Sequence, residues 1–113
     1  MPYLTVYTNT ESENLVQMAE DASHLTAKIL HKPEGYVVTN VVHNAAMCFG
    51  GSAQNKGALV ELKSIGLGDK DVFVAEITKF LAERLGISNS QYIAVSLVDM
   101  PMAHAACGGR TFG

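Results

Sequence analysis

Three features of this 113-residue chain could do acid–base or anion-binding chemistry: a proline at position 2, a lysine at position 32 and a glycine-rich turn after Lys63. Pro2 follows the initiator, and methionine aminopeptidase removes Met1 where the second residue is small, which leaves a secondary amine as the chain terminus. An α-amino group titrates at roughly 7.7–8.0, and burial or a neighbouring cation lowers that value. A base of that strength suits abstraction of a proton beside a carbonyl. Taken alone, Pro2 reads more readily as a tolerated start to a strand. Lys32 stands in the last turn of a helical pattern, immediately before Pro33. It either complements the negative end of that helix or holds a substrate carboxylate and depresses a neighbouring amine. The turn Ser64-Ile65-Gly66-Leu67-Gly68 lacks the Gly-Lys-Ser/Thr ending of a nucleotide loop, and Asp69 and Asp71 oppose phosphate. Its backbone amides remain suited to one carboxylate.

Other chemistries find less support. His24, His31, His43 and His104 lack the spacing of zinc ligands, so no metal site is expected. No Gly-x-Ser-x-Gly elbow is present, and neither Cys48 nor Cys107 has an obvious base partner. The two cysteines allow one disulfide at most, which is not a disulfide scaffold. Net charge is −3 and no Lys/Arg run occurs, which argues against nucleic-acid and lipid-surface partners. No apolar run approaches the ~20 residues of a membrane-spanning helix. No secretory signal is evident, so the cytoplasm is the expected compartment, with release lacking a signal peptide as the alternative. Charged residues make up 17% of the chain, against roughly 25% in an average soluble domain, so part of the surface is expected to face another subunit.

The elements that position these groups follow from periodicity. Residues 2–8 alternate as a strand. Thr10-Glu11-Ser12-Glu13 fits a capping box opening a helix, with Leu15, Met18, Ala22, Leu25 and Ile29 on one stripe and Pro33 as its stop. Residues 36–43 read as a second strand, residues 44–56 as a loop interrupted by Met47-Cys48-Phe49, and residues 58–65 as a third strand. A helix is predicted over residues 70–85, with Val74, Ile77, Leu81 and Leu85 inward and Gly86 as its left-handed cap. Residues 92–98 close the set, before a short tail that turns at Gly108-Gly109. Strand–helix–strand is thus written twice in a single domain, residues 1–113. This predicts an α/β (α+β) fold of ferredoxin-like kind, with two βαβ units forming a four-stranded mixed sheet and both helices on one face. Tyr3, Tyr7, Val37, Val41, Leu59 and Val95 cannot all share a face with Leu4, Val6, Val38, Val42 and Val60, so the strands are apolar on both sides. Two apolar faces on a sheet covered once favour assembly through the sheets.

The assembled pattern resembles the family of macrophage migration inhibitory factor and D-dopachrome tautomerase over nearly the whole chain. Its marks are Met1-Pro2 opening a strand, His31-Lys32-Pro33 closing the first helix, Ala46-Met47-Cys48-Phe49-Gly50-Gly51-Ser52 and Leu62-Lys63-Ser64-Ile65-Gly66. Leu81-Ala82-Glu83-Arg84-Leu85-Gly86-Ile87-Ser88, Val98-Asp99-Met100 and Thr111-Phe112 complete them. The resemblance implies a homotrimer and cofactor-free keto–enol tautomerisation of small aromatic α-keto acids such as phenylpyruvate. Pro2 would be the base that takes and returns the proton. Lys32 and the Ile65 amide, with Ser64 beside them, would bind the carboxylate or carbonyl oxygen, and Tyr36 and Phe112 would form an aromatic rim. A signalling ligand that engages host receptors, or a scaffold with a vestigial pocket, are the competing implications.

Three positions depart from the family pattern. Its Cys-x-x-Cys pair falls on Gly57-Ala58-Leu59-Val60, which leaves no dithiol for redox work. Cys107 stands at or near a missing tryptophan. On the last long strand, a Tyr and an Asn that reach a neighbour's pocket become Ala94 and Ser96, unless a register slip of two offers Tyr92. The far end of the implied pocket is therefore small and less aromatic.

Overall fold

The computed structural model describes all of residues 1–113. Strand β1 (Pro2–Thr8) leads to helix α1 (Leu15–Leu30) and strand β2 (Val38–His43); β3 (Ala58–Ser64), α2 (Lys70–Leu85) and β4 (Ile93–Asp99) repeat the pattern. The main sheet has the order β2-β1-β3-β4, with β1 parallel to β2, β3 parallel to β4, and β1 antiparallel to β3. Each helix-connected pair of strands is adjacent. The expected ferredoxin-like arrangement differs here, because its βαβ units are split by an intervening strand.

Both helices cover one face. Leu4, Val6, Val60 and Leu62 pack there against Met18, Ala22, Phe73, Ile77 and Leu81 in one continuous core. Truncating a fully buried core leucine such as Leu62 removes packing worth about 2–5 kcal/mol. The register settles which residues share each face. Val41 pairs beside Val6, and Val95 beside Val60, so both lie on the helix-covered side. Val38 and Val42 pair beside Tyr3 and Tyr7 and point to the open face with Leu59. Residues 34–36 form a 3-10 turn, so the strand begins at Val38 rather than at position 36. Tyr36 therefore precedes β2. Val38 (55%), Leu59 (39%) and Val98 (44%) are exposed on the open face.

The capping box does not form. Asn14 precedes α1 without a side-chain cap, the Thr8 hydroxyl takes the Thr10 amide at 3.1 Å, and Thr10 Oγ1 is buried without a partner. Asn9 explains why. Its side chain donates to the carbonyls of Met47 (3.2 Å) and Asn55 (2.9 Å) and accepts from the Gly57 amide (3.1 Å), which ties the end of β1 to the 44–57 loop. The chain bends at Asn9 and Thr10 and stays irregular up to Asn14, and the helix starts later.

Helix α2 has the expected bounds and the Gly86 cap at φ 66, but its inward stripe begins at Phe73, with Val74 only half-buried. Tyr92 lies in a second 3-10 turn, residues 90–92, so β4 begins at Ile93. Beyond β4 the chain forms a small hairpin, β5 (Ala106–Cys107) with β6 (Arg110–Thr111), turned by Gly108 (φ 62) and Gly109 (φ 89). Two successive positive φ values are what a type I′ turn requires, and glycine adopts them without a Cβ clash.

Candidate active site

The topology gathers one end of the sheet. The starts of β1 and β2 and the ends of β3 and β4 all meet there, with Pro2 paired to Ser64 and Ser64 to Asp99. The C-terminal end of α1 arrives at the same place. Pro2, Lys32, Ser64 and Ile65 are therefore brought together, as expected.

The end of α1 sets Lys32. Helical geometry stops at Leu30, His31 takes a left-handed conformation (φ 54), and the Lys32 amide donates to the Ala27 carbonyl at 3.0 Å. That six-to-one hydrogen bond is a Schellman ending, with His31 where glycine is usual. Lys32 thus lies beyond the last turn, which holds Lys28 as its basic residue, and the helix-end role expected for it is not its position. Its Nζ donates instead to the Ile65 carbonyl at 2.9 Å.

Pro2 is fully buried, and Met1 carries the terminal amine in this structure. Burial first, and the Lys32 ammonium second, hold that amine below its usual value of 8.0. While Met1 is present the Pro2 nitrogen is an amide and has no basic lone pair. The Ser64 hydroxyl, beside Pro2 in the register, is buried with no partner in the chain.

The turn after β3 is fixed from several sides. The Met100 amide donates to the Ser64 carbonyl at 2.8 Å, and the Gly66 amide donates to Asp99 Oδ1 at 2.9 Å. Gly66 has φ 77, which favours glycine, and a Cβ there would come within 3.9 Å of Lys32 Nζ. Asp99 carries little sign of a functional role in the sequence. Its one signal is its place at the end of the last long strand, and the pairing with Ser64 is not legible without the register.

Tyr36 and Phe112 meet edge to face, ring centroids 5.9 Å apart. The Phe112 amide bonds the Ala105 carbonyl (3.0 Å) and the Tyr3 hydroxyl bonds the Ala106 carbonyl (3.1 Å), so the C-terminal segment is folded back onto the sheet. The 34–36 turn is itself tethered to α1, with Glu34 Oε1 2.7 Å from His24 Nδ1 and Glu34 Oε2 accepting from Ser23. The Glu34 hydrogen bond raises His24 above its ordinary pKa and holds Glu34 below its own.

Ser96 is not brought to this group within the chain. It pairs with Glu61 on the open face, three residues back from Asp99, about 10 Å along the strand. The register slip that would offer Tyr92 is closed: its hydroxyl accepts from Asn55 Nδ2 at 3.2 Å and its ring lies against Phe49, at the other end of the sheet. Cys48 and Cys107 are both free and exposed.

The fold and this end of it define a doubled βαβ protein whose chain terminus, a lysine and a peptide turn converge. The sequence profile of macrophage migration inhibitory factor (MIF) matches residues 1–113. A macrophage migration inhibitory factor homolog of Brugia malayi is 37% identical over 117 aligned positions, covering 100% of both chains. A homolog of Trichuris trichiura is 34% identical, covering 99% of this chain and 100% of its own. Among solved structures, the macrophage migration inhibitory factor homologue of Prochlorococcus marinus superposes with a TM-score of 0.90 at 25% identity, covering 98% of this chain and 99% of its own. The factor from Trichinella spiralis gives 0.88 at 26% identity, covering 97% and 99%. The chain belongs to the macrophage migration inhibitory factor family.

Proposed function

We propose that the protein is a keto–enol tautomerase of phenylpyruvate type, working through the Pro2 amine once Met1 is removed, in a homotrimer joined through its open sheet faces. The observation that carries this reading is the terminal amine at the buried start of β1, held below its usual value by burial and by Lys32. Removing Met1 transfers the terminus to a secondary amine one residue deeper in the same surroundings. A neutral amine at working pH is a competent base.

In this mechanism the substrate carboxylate meets Lys32 and the Ile65 amide, and its ring lies along Tyr36 and Phe112. The Pro2 nitrogen takes a proton from the carbon beside the carbonyl while electron density moves onto the carbonyl oxygen. The protonated amine then delivers that proton to the oxygen, which gives the enol; the reverse sequence restores the ketone. No atom is gained or lost, and no redox group is required. Ser96, on the open face, would serve a pocket only across a subunit seam. With Ala94 beside it in place of larger groups, that end favours a substrate lacking a bulky ring substituent.

The test is intact mass spectrometry to establish loss of Met1, followed by the absorbance change of phenylpyruvate enol–keto conversion. Wild type should be active, and Pro2→Gly should lose at least about tenfold in kcat/KM. Equal rates for the two proteins would remove Pro2 from the mechanism.

A further inference from the structure

The peptide unit joining Ile65 to Gly66 is gripped at both ends. Its carbonyl oxygen accepts from the Lys32 ammonium at 2.9 Å, and its N–H donates to the Asp99 carboxylate at 2.9 Å. In a trans peptide the C=O and N–H point in opposite directions, so a cation and a carboxylate on its two sides fix one orientation of the plane. Both bonds are charge-assisted, and the peptide dipole lies along the line from the carboxylate to the ammonium. No other group bonds the Gly66 amide, and no other side chain bonds the Ile65 carbonyl.

We propose that Asp99 is a positioning residue for anion binding at this turn, acting through the Ile65–Gly66 peptide to aim the Lys32 ammonium at a substrate carboxylate. The inference deepens the tautomerase reading and rests on it for the identity of the ligand, an α-keto acid. The carboxylate has two effects. It occupies the Gly66 amide, so the substrate is left with Lys32 and the Ile65 amide rather than a looser set of donors. It also holds Gly66 at φ 77, where the Ile65 carbonyl faces Lys32. An ammonium has three donors, and with one fixed on Ile65 the other two are presented in a defined direction. The Met100 amide, one residue beyond Asp99, bonds the Ser64 carbonyl at 2.8 Å and fixes the end of β4 against the same turn.

Asp99→Ala, Asp99→Asn and wild type, each freed of Met1, would be compared on phenylpyruvate and on its methyl ester, which lacks the carboxylate. Asn keeps an oxygen acceptor for the Gly66 amide. Asp99→Ala should raise KM for phenylpyruvate about tenfold, leave kcat within about twofold, and leave the ester unaffected. Asp99→Asn should recover most of the loss. An unchanged KM in Asp99→Ala, or an equal loss on acid and ester, would overturn the assignment while leaving the tautomerase reading intact. Should wild type fail to convert phenylpyruvate at all, the tautomerase reading falls, and phenylacetate binding followed on the Ile65 and Gly66 amide resonances decides the inference. Binding weakened about tenfold by Asp99→Ala and restored by Asn sustains it. Absent binding, or binding indifferent to the substitution, overturns it.

Discussion

Replacing Lys32 by Met keeps an unbranched, flexible side chain one atom shorter and removes its charge and its donors. The structure sets the size of the effect. Of the three ammonium donors, one is committed to the Ile65 carbonyl, which leaves two for a carboxylate. A hydrogen bond to a charged group is worth about 1.5–3 kcal/mol, so losing this anchor should raise KM for phenylpyruvate by about 10- to 150-fold. Lys32 also lowers the terminal amine, as the second cause after burial. Without that cation the amine becomes more basic, and the acid limb of the kcat/KM profile moves to higher pH. Burial remains, so the Pro2 amine should still lie below its ordinary value. Folding should suffer little, because the residue is half-buried and only one carbonyl loses its partner, about 0.5–1.5 kcal/mol. The assay is steady-state kinetics on the Met1-free protein across pH, with urea unfolding as the control. A variant with wild-type KM and an unmoved acid limb would refute the argument, since the cation would then serve neither the anion nor the amine.

Two further substitutions test the scaffold by chemical denaturation. A Cβ at Gly57 would lie 2.3 Å from the Tyr92 carbonyl oxygen and 2.8 Å from two ring atoms of Phe49, so Gly57→Ala should destabilise the protein by about 2–3 kcal/mol. Retained stability would show that the 44–57 loop yields easily. His31→Gly should stabilise by about 0.5–1 kcal/mol, because it relieves a left-handed backbone at φ 54. The substitution also removes the pairing of His31 Nε2 with Asp69 at 3.6 Å, which is exposed and worth little; a destabilised variant would refute the strain argument.

The periodic elements were legible because their signals are local. Helix α2, with Ile77, Leu81 and Leu85 inward and Gly86 as its cap, has the predicted bounds, and β1 and β3 match their alternation to within a residue. Pro33 lies beyond α1 as expected. What failed depended on partners distant in sequence. Thr10 and Glu13 have the right spacing for a capping box, yet Asn9 is captured by the backbone of residues 47, 55 and 57 and the helix starts late. The faces of β2 and β4 could be set only by their pairing with β1 and β3, which places Val41 beside Val6 and Val95 beside Val60. The site was partly legible for a similar reason. Pro2, Lys32 and the Ser64–Gly66 turn mark element ends in the sequence, and the strand order then brings those ends together. Asp99 could be placed only by its register with Ser64.

The two βαβ repeats end their helices alike but place different residues at the cap. Both helices finish in the same way: a left-handed residue, then an amide bonded five residues back, Lys32 to Ala27 and Ile87 to Ala82, each at 3.0 Å. In the second repeat the left-handed residue is Gly86 and the next is Ile87, 4% exposed and part of the core. This is the combination that a Schellman ending favours, glycine followed by an apolar contact. In the first repeat the same two places hold His31, which is strained there, and Lys32, whose ammonium leaves the core for the Ile65 carbonyl. Backbone geometry is common to both, so it does not explain the difference. What differs is the neighbouring strand start: Pro2, next to the terminal Met1, in one repeat, and Ala58 in mid-chain in the other. Only the first lies beside the chain terminus, and only there does a cation stand in place of the apolar cap.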